Sequence, residues 1–338
     1  MRLKKRIASL ELLRFFASIS VVIYHYKFVL SGNNPDLVSG LPFNDILNFL
    51  YDYGRYGVHI FFTISGFIFA YIYLESNTTG RVFFVNRFAR LYPLHFLTLM
   101  IIVFFQFLEP LFFKEYNQVN NIFNDTYHFI LQIFFISSWG LEKGFSFNTP
   151  IWSVSIEIVL YIIFFSLIRY LKLYINLLII LIFVLSYKTS ILNIRFDEYA
   201  ALFFLGVLTY QISKFKKKKV LFLSSLFFLI FSITGNFKVL IFAPSLILVA
   251  VQFDKYIFDK LRLFFVKLGN LTYSTYLIHY PILLLVLIYE NKFFNLNKIY
   301  LHNSFFVIFF VTLILFSHIV FDYFEKPLNK FIRNKLLN

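Results

Sequence analysis

Arg14 and His25 are ionisable side chains inside an apolar segment near the N-terminus that is long enough to cross a membrane. The two residues are eleven positions apart, which in an α-helix corresponds to about 1100°, or three turns and roughly 20° more. Both side chains would therefore project from one helix face, about 16 Å apart along the axis. We predict that they line a common groove or tunnel.

A third ionisable side chain, Glu157, lies in the apolar stretch PIWSVSIEIVLYIIFF. If this stretch crosses the membrane inward from Pro150, Glu157 lies about 10 Å below the outer surface, at a depth similar to that of His25. A carboxylate that orients an imidazole and stabilises its cationic form is the arrangement of general-base catalysis on a hydroxyl. The pattern predicts such a pair in His25 and Glu157.

Each of these residues also has a purely structural interpretation. Arg14 lies close enough to the inner surface to extend its guanidinium into water. His25 could be an interfacial histidine bonded to the backbone, and its pairing with Glu157 could serve helix packing alone. A proton-coupled transporter could use the same pair. The residues themselves leave these alternatives open.

A second cluster of charge lies in RVFFVNRFARLYP, where Arg87 and Arg90 are three residues apart. In a helix this spacing places them on one face, and arginine is suited to bidentate recognition of phosphate. Basic residues at the inner end of a span are also what the positive-inside distribution alone supplies. Phosphate binding and a purely topological role are both compatible with this cluster.

The elements that must position these residues are apolar. The chain has 338 residues, of which 59% are hydrophobic and 14% charged, and its mean hydropathy is +0.74. This composition is typical of polytopic helical membrane proteins. We predict one all-α integral membrane domain over residues 1–338, with a short interfacial or re-entrant helix at 122–138. Ten spans are expected near 7–30, 55–75, 91–113, 150–169, 173–188, 196–212, 219–234, 237–253, 267–289 and 301–324.

The net charge of +15 is distributed in a way that argues for a membrane and against a nucleic-acid partner. The basic residues cluster in alternate connecting segments, whereas segment 31–54 holds three Asp and no Lys or Arg. We therefore predict that both termini are cytoplasmic. The chain has no Cys, which excludes disulfides and thiolate metal sites, and we predict no metal. The basic clusters lie at 2–6, 81–90, 169–172, 216–219, 255–267 and 326–335.

Six motifs in this order resemble acyltransferase family 3, a family of integral membrane proteins, over essentially the whole chain. Typical members move an acetyl group from cytoplasmic acetyl-CoA to a hydroxyl of a sugar or lipid-linked glycan. The resemblance therefore implies a multi-pass protein of the cytoplasmic (inner) membrane that uses acetyl-CoA as a donor substrate, with no cofactor. The motifs are LELLRFFASISVVIYHY (10–26), GVHIFFTISGFIF (57–69), FVNRFARLYP (84–93), WSVSIEIVLY (152–161), LGNLTYSTYLIHYP (268–281) and FDYFEKP (321–327).

The resemblance also implies roles for individual residues. The phosphates of CoA would meet Arg87 and Arg90 on the inner side, and the glycan would approach His25 and Glu157 from the outer side. Arg14 lies between them, able to hold the thioester or a developing negative charge.

Further positions are candidates for substrate contact. Tyr273 and Ser274, in the polar inner end of span nine, suit a lining of the donor entrance. His279, Trp152 and His59 are candidate tunnel or acceptor residues. His279 has an equally plain interpretation, a histidine bonded to a carbonyl that Pro281 frees. The chain resembles a stand-alone form that lacks the C-terminal esterase-like domain of some members.

The main rival function is a proton-coupled transporter or flippase of a glycan or small anion. Transporters of that kind usually have two related halves, and no internal repeat is evident in the sequence. A structural scaffold would leave the buried charges unexplained. The acceptor could be O-antigen, capsule, exopolysaccharide or peptidoglycan. The sequence does not indicate the oligomeric state or whether the acyl group is longer than acetyl.

Overall fold

A computed structural model of the chain describes residues 5–32, 35–112, 122–168, 170–189, 194–234, 238–293 and 298–337. Within these ranges all regular secondary structure is helical, and no strand is present. Six helical segments among them are long and apolar enough to cross a membrane. The prediction of an all-α polytopic membrane protein is therefore confirmed.

The helices follow one another through short connections, and a π-helical turn at Phe321–Glu325 joins the last two. They are α1 (Ala8–Ser31), α2 (Pro35–Ser39), α3 (Asn44–Tyr53), α4 (Gly57–Tyr73), α5 (Gly80–Phe112), α6 (Thr126–Ile133), α7 (Ile151–Leu167), α8 (Leu173–Thr189), α9 (Ile194–Ser213), α10 (Lys218–Thr234), α11 (Val239–Phe253), α12 (Asp259–Phe293), α13 (Asn303–Val320) and α14 (Lys326–Leu337).

Each of the ten predicted spans overlaps one helix, namely α1, α4, α5 and α7 to α13. Six segments meet the length and hydropathy of a membrane span, so the number of ten spans stays a prediction. Two predicted boundaries are wrong, because α5 begins eleven residues before position 91 and α12 eight residues before position 267. The basic clusters at 81–90 and 260–267 are therefore helical and do not lie in loops. The reason is that Arg and Lys are good helix formers, so a helix need not end where its apolar segment ends.

Two further segments differ from their predicted form. Segment 31–54 was predicted as a loop, yet it contains α2 and α3. The predicted helix at 122–138 is confined to α6, and Asp125 caps its N-terminus. Some residues of the basic clusters that predict the topology lie outside the described residues, namely Arg2, Lys4 and Arg169. So do positions 190–193 and 235–236.

The chain divides into two compact units, the first of which comprises Met1–Ala17, Tyr56–Thr78 and Ile156–Asn270. Within it, α9 packs against α4, α8 and α11. A Cβ added at Gly66 would overlap the carbonyl oxygen of Phe203, and one added at Gly206 would overlap that of Thr63. Only glycine therefore permits this approach of α4 to α9.

The second unit comprises Ser18–Arg55, Thr79–Ser155 and Leu271–Asn338. Within it, the hydroxyl of Tyr26 on α1 donates to the carbonyl of Tyr300 at 2.6 Å. In the same unit, α14 packs against α5. The guanidinium of Arg81 donates from Nε and Nη2 to the carbonyl of Leu336 at 3.1 and 2.8 Å, which satisfies a terminal acceptor of α14.

Candidate active site

In the second unit, α1 and α12 bring His25 and His279 into direct contact. The two ring nitrogens, Nδ1 of His25 and Nε2 of His279, are 2.8 Å apart. The ring centroids are 5.0 Å apart and the ring planes differ by 6°. Because the nitrogens are much closer than the centroids, the rings lie edge to edge in nearly one plane. This is the geometry of a strong hydrogen bond and not of face-to-face stacking.

The two histidines differ in exposure. His279 is fully buried, and its Nδ1 lies 3.3 Å from the carbonyl oxygen of Thr275, one turn earlier in α12. His25 is half-buried, and within the described part of the chain its Nε2 has no hydrogen-bond partner. Nε2 of His25 is therefore the ring nitrogen that can bind a further group.

The segment that leads into α7 and the first turn of α7 hold α12 on both sides of His279. Nδ2 of Asn148 donates to the carbonyl of Leu277 at 3.1 Å. The hydroxyl of Thr149 donates to that of Tyr280 at 3.1 Å, and the hydroxyls of Ser153 and Tyr276 are 2.8 Å apart. These contacts fix the residues adjacent to His279.

The carbonyl of Leu277 is the acceptor that residue 281 would serve in an uninterrupted helix. Pro281 has no N–H, so this carbonyl is freed, and Asn148 occupies it. His279 instead contacts the carbonyl of Thr275. Bonding of His279 to the carbonyl that Pro281 frees is therefore not what the structure contains.

Glu157 has a different partner from the one that its depth predicts. In the first unit it lies on α7, is half-buried and accepts a short hydrogen bond from the hydroxyl of Ser65 on α4. The described hydrogen bond of His25 is made to His279. That Glu157 supports His25 stays a prediction.

Arg14 lies in an ion-pair cluster of the first unit. Its Nη1 is 3.4 Å from Oε2 of the buried Glu11, three residues earlier on α1. Arg6 approaches the same carboxylate from Nε at 2.8 Å and donates from Nη1 to Oδ1 of Asn270 at 2.6 Å. A Cβ at Gly269 would clash with Glu11. Arg6 and Arg14 therefore share one buried carboxylate.

Comparisons with known proteins show the family of the chain. Residues 7–322 match the sequence model of a family described as "Acyltransferase domain". The chain belongs to acyltransferase family 3. It is also similar to "Acyltransferase MdmB" of Streptomyces mycarofaciens, with 27% identity over 163 residues. This match covers 47% of the present chain and 38% of that relative, and no solved structure matches significantly.

The predicted donor-side residues of this family 3 chain all lie in the second unit. Arg87 and Arg90 are half-buried and share a face of α5. The hydroxyl of Tyr273 donates to the carbonyl of Leu91 at 2.6 Å, and that of Ser274 to Oε2 of the buried Glu325 at 2.7 Å. Both hydroxyls therefore donate hydrogen bonds within the protein, and donor binding by Tyr273 and Ser274 stays a prediction.

The remaining candidates of the family 3 chain are placed as follows. His59 is buried in the first unit, and its Nε2 lies 3.1 Å from Oε1 of Glu198 on α9. His59 thus contacts a carboxylate, and its contact with the acceptor glycan stays a prediction. Trp152 is half-buried in the first turn of α7 in the second unit.

Among the partners that the sequence analysis did not assign are two carboxylates, Glu11 and Glu325. Glu11 lies three residues before Arg14, so the helical i,i+3 rule alone could have paired them. Glu325 lies in the motif FDYFEKP, and only the structure connects it to Ser274. Its apolar surroundings were the available signal, because a carboxylate among aromatic residues needs a partner.

Proposed function

We propose that the protein is a membrane-bound O-acyltransferase. It moves an acetyl group from cytoplasmic acetyl-CoA to a hydroxyl of a cell-surface polysaccharide or lipid-linked glycan. The family membership supports acyl transfer, and the printed name of the Streptomyces relative is in keeping with it. The observation that carries the proposal is the state of His25: its Nδ1 is held by His279, while Nε2 has no partner among the described residues.

The proposed reaction uses this arrangement. Nε2 of His25 accepts the proton of the acceptor hydroxyl, and the oxygen attacks the thioester carbonyl. The carbon–sulfur bond then breaks, CoA leaves as a thiolate, and the imidazolium of His25 returns the proton to it. The products are the O-acetyl ester and free CoA, so the enzyme is regenerated without a cofactor.

The donor is held mainly by arginine in this proposal. Arg87 and Arg90 bind the phosphates of CoA, because a planar guanidinium can contact phosphate through two parallel hydrogen bonds. Arg14 lies eleven residues before His25 on the same helix. It stabilises the negative charge that develops at the thioester oxygen, and Glu157 supports the cationic base.

The proposed topology completes this scheme. Ten helices cross the inner membrane as one domain, with both termini in the cytoplasm, because the basic clusters occur in alternate connections. The Cys-free chain permits a direct test with the exposed positions 45 and 216. A membrane-impermeant maleimide should label Asp45→Cys in intact cells and Lys216→Cys only after permeabilisation. The reverse pattern would contradict the topology.

Thioester turnover tests the function. Purified protein in detergent or nanodiscs should release CoA from acetyl-CoA, and glycan of the parent strain should raise the rate. His25→Ala should bind acetyl-CoA like the wild type yet lose about 10²–10⁴-fold in acetyl transfer. A transporter would release no CoA and would instead move protons or glycan in proteoliposomes. A His25→Ala variant that transfers acetyl at the wild-type rate would sink the mechanism.

The acceptor can be found separately. Mass spectrometry of surface glycans from a deletion strain should reveal the loss of one acetyl mass from a defined sugar. Complementation with the wild-type gene should restore that mass, whereas complementation with His25→Ala should not.

A further inference from the structure

We infer that His279 is a positioning residue that fixes the tautomer of His25, so that Nε2 of His25 is the basic nitrogen. The inference rests on the proposed function, since it assigns a task to the partner of the proposed base. It concerns the second unit alone, where α1 and α12 bring the two rings together.

The first step is the tautomer of His279. Its Nδ1 faces the carbonyl oxygen of Thr275 at 3.3 Å, and a carbonyl oxygen can only accept a hydrogen bond. Nδ1 of His279 must therefore carry a proton. Without it, two lone pairs would face each other at a fully buried site. In the neutral ring, Nε2 of His279 is then an acceptor.

The second step transfers this constraint to His25. Nε2 of His279 lies 2.8 Å from Nδ1 of His25, and since it accepts, Nδ1 of His25 must donate. The neutral imidazole of His25 then has its lone pair on Nε2. One backbone carbonyl thus sets the proton positions of both rings, through contacts that run from α12 to α1.

The third step explains why the tautomer matters. An isolated imidazole can carry its proton on either nitrogen, and with Nε2 protonated it would offer a donor to the acceptor hydroxyl instead of a lone pair. The wrong tautomer cannot act as a general base, whatever its position. His279 removes this alternative, and it continues to accept from Nδ1 when His25 becomes cationic, where a charge-assisted hydrogen bond is stronger.

The use of a neutral partner also fits the apolar surroundings. A carboxylate at the position of His279 would orient His25 as well, but it would place a charge at a fully buried site in a candidate membrane span. Such a charge is costly in a bilayer. A second histidine supplies the orientation without that cost.

Nitrogen NMR of ¹⁵N-histidine-labelled protein tests the tautomer directly. The chain has seven histidines, and a His25→Asn variant identifies the signals of His25. We expect the wild type to show His25 protonated at Nδ1 and not at Nε2. His279→Gln should keep this state, because a glutamine oxygen can accept from Nδ1, whereas His279→Leu should lose it. Tyr280→Phe is the matched control: it removes the contact with Thr149 next to His279 and should leave His25 unchanged.

Kinetics add a second measurement. His279→Leu should lower kcat for acetyl transfer by at least about tenfold with little change in KM for acetyl-CoA, and His279→Gln should recover much of that loss. A wild-type spectrum with His25 protonated at Nε2 would overturn the inference even if the Leu variant fails to fold. So would a His279→Leu variant with wild-type kcat. If the wild type releases no CoA, the proposed function fails, and the tautomer is still decided by the spectrum.

Discussion

Asn148 replaces the hydrogen-bond donor that Pro281 lacks. Its Nδ2 lies 3.1 Å from the carbonyl oxygen of Leu277, the acceptor that an N–H at position 281 would serve in a regular α-helix. The same Nδ2 donates to the hydroxyl of Thr98 on α5 at 2.9 Å. A buried carboxamide thus joins α12 to α5 two residues from His279, at the point where the helical hydrogen-bond ladder is interrupted.

This relationship predicts a non-additive pair of variants. Asn148→Ala should destabilise the protein by about 1–3 kcal/mol, because a buried carbonyl loses its donor. In a Pro281→Ala background the cost should be smaller, since the N–H of residue 281 can then reach Leu277. The four proteins are the wild type, the two single variants and the double variant. Their thermal unfolding in detergent gives the interaction free energy between Asn148 and Pro281. Equal costs in both backgrounds would mean that the carbonyl does not depend on Asn148.

Donor binding should depend on Arg87 and Arg90 and not on Arg81, which is occupied by the carbonyl of Leu336. Arg90→Lys and Arg87→Ala should weaken binding of acetyl-CoA roughly tenfold or more, because the first loses the bidentate contact to phosphate and the second loses the charged donor altogether. The loss should shrink for a short thioester without the nucleotide. Calorimetric titration measures the affinity for acetyl-CoA and for the short thioester, and Arg81→Ala is the matched control. Unchanged affinity in the Arg87 and Arg90 variants would leave these residues with a topological role only.

The contact between α4 and α9 should tolerate no side chain at its centre. Gly66→Ala would drive a Cβ into the carbonyl of Phe203, so we expect destabilisation at or above the usual 1–3 kcal/mol of an overpacked site. Gly40→Ala is the control, since a Cβ there would meet its nearest atoms at 3.7 and 3.8 Å. Thermal unfolding should separate the two variants clearly. Similar midpoints for both would contradict the close approach.

The start of α6 should be sensitive to acid. The backbone N–H of His128 donates to Oδ1 of Asp125 at 2.8 Å, and this bond lowers the pKa of the Asp125 carboxyl below its usual value. A lowered pKa means that the ionised cap stabilises the folded state above the unfolded value of about 3.9, and that this contribution is lost as the pH falls through the folded value. Hydrogen exchange of the backbone amides of residues 126–133 should therefore become faster as the pH falls through the folded-state pKa of Asp125.

Asp125→Asn separates charge from capping. Asparagine still caps a helix but does not titrate, so its amide protection should show no step at low pH. Asp125→Ala should lose protection at every pH, with a cost of about 0.5–2 kcal/mol. An acid step that persists in Asp125→Asn would assign the effect to another group.

The sequence predicts the positions of the main helices well because long apolar windows carry that signal. It fails at the starts of α5 and α12, where charged helix formers continue the helix beyond its apolar part. The apolar segment places Arg14 and His25 on one helix, α1, whereas the common groove that their spacing predicts stays a prediction. The partner of His25 is 254 residues away, and no local spacing rule connects positions so distant. Contacts of this kind depend on how helices pack, which composition does not encode.

The paired glycines of α4 and α9 have a genetic consequence. Any single-base change in the first two positions of a glycine codon gives a residue with a Cβ or a stop codon. At Gly66 and Gly206 that Cβ would occupy the space of a backbone oxygen on the opposite helix. A library of all single-nucleotide variants should therefore yield no functional missense alleles at these two codons, whereas the codon for Gly40 should accept several.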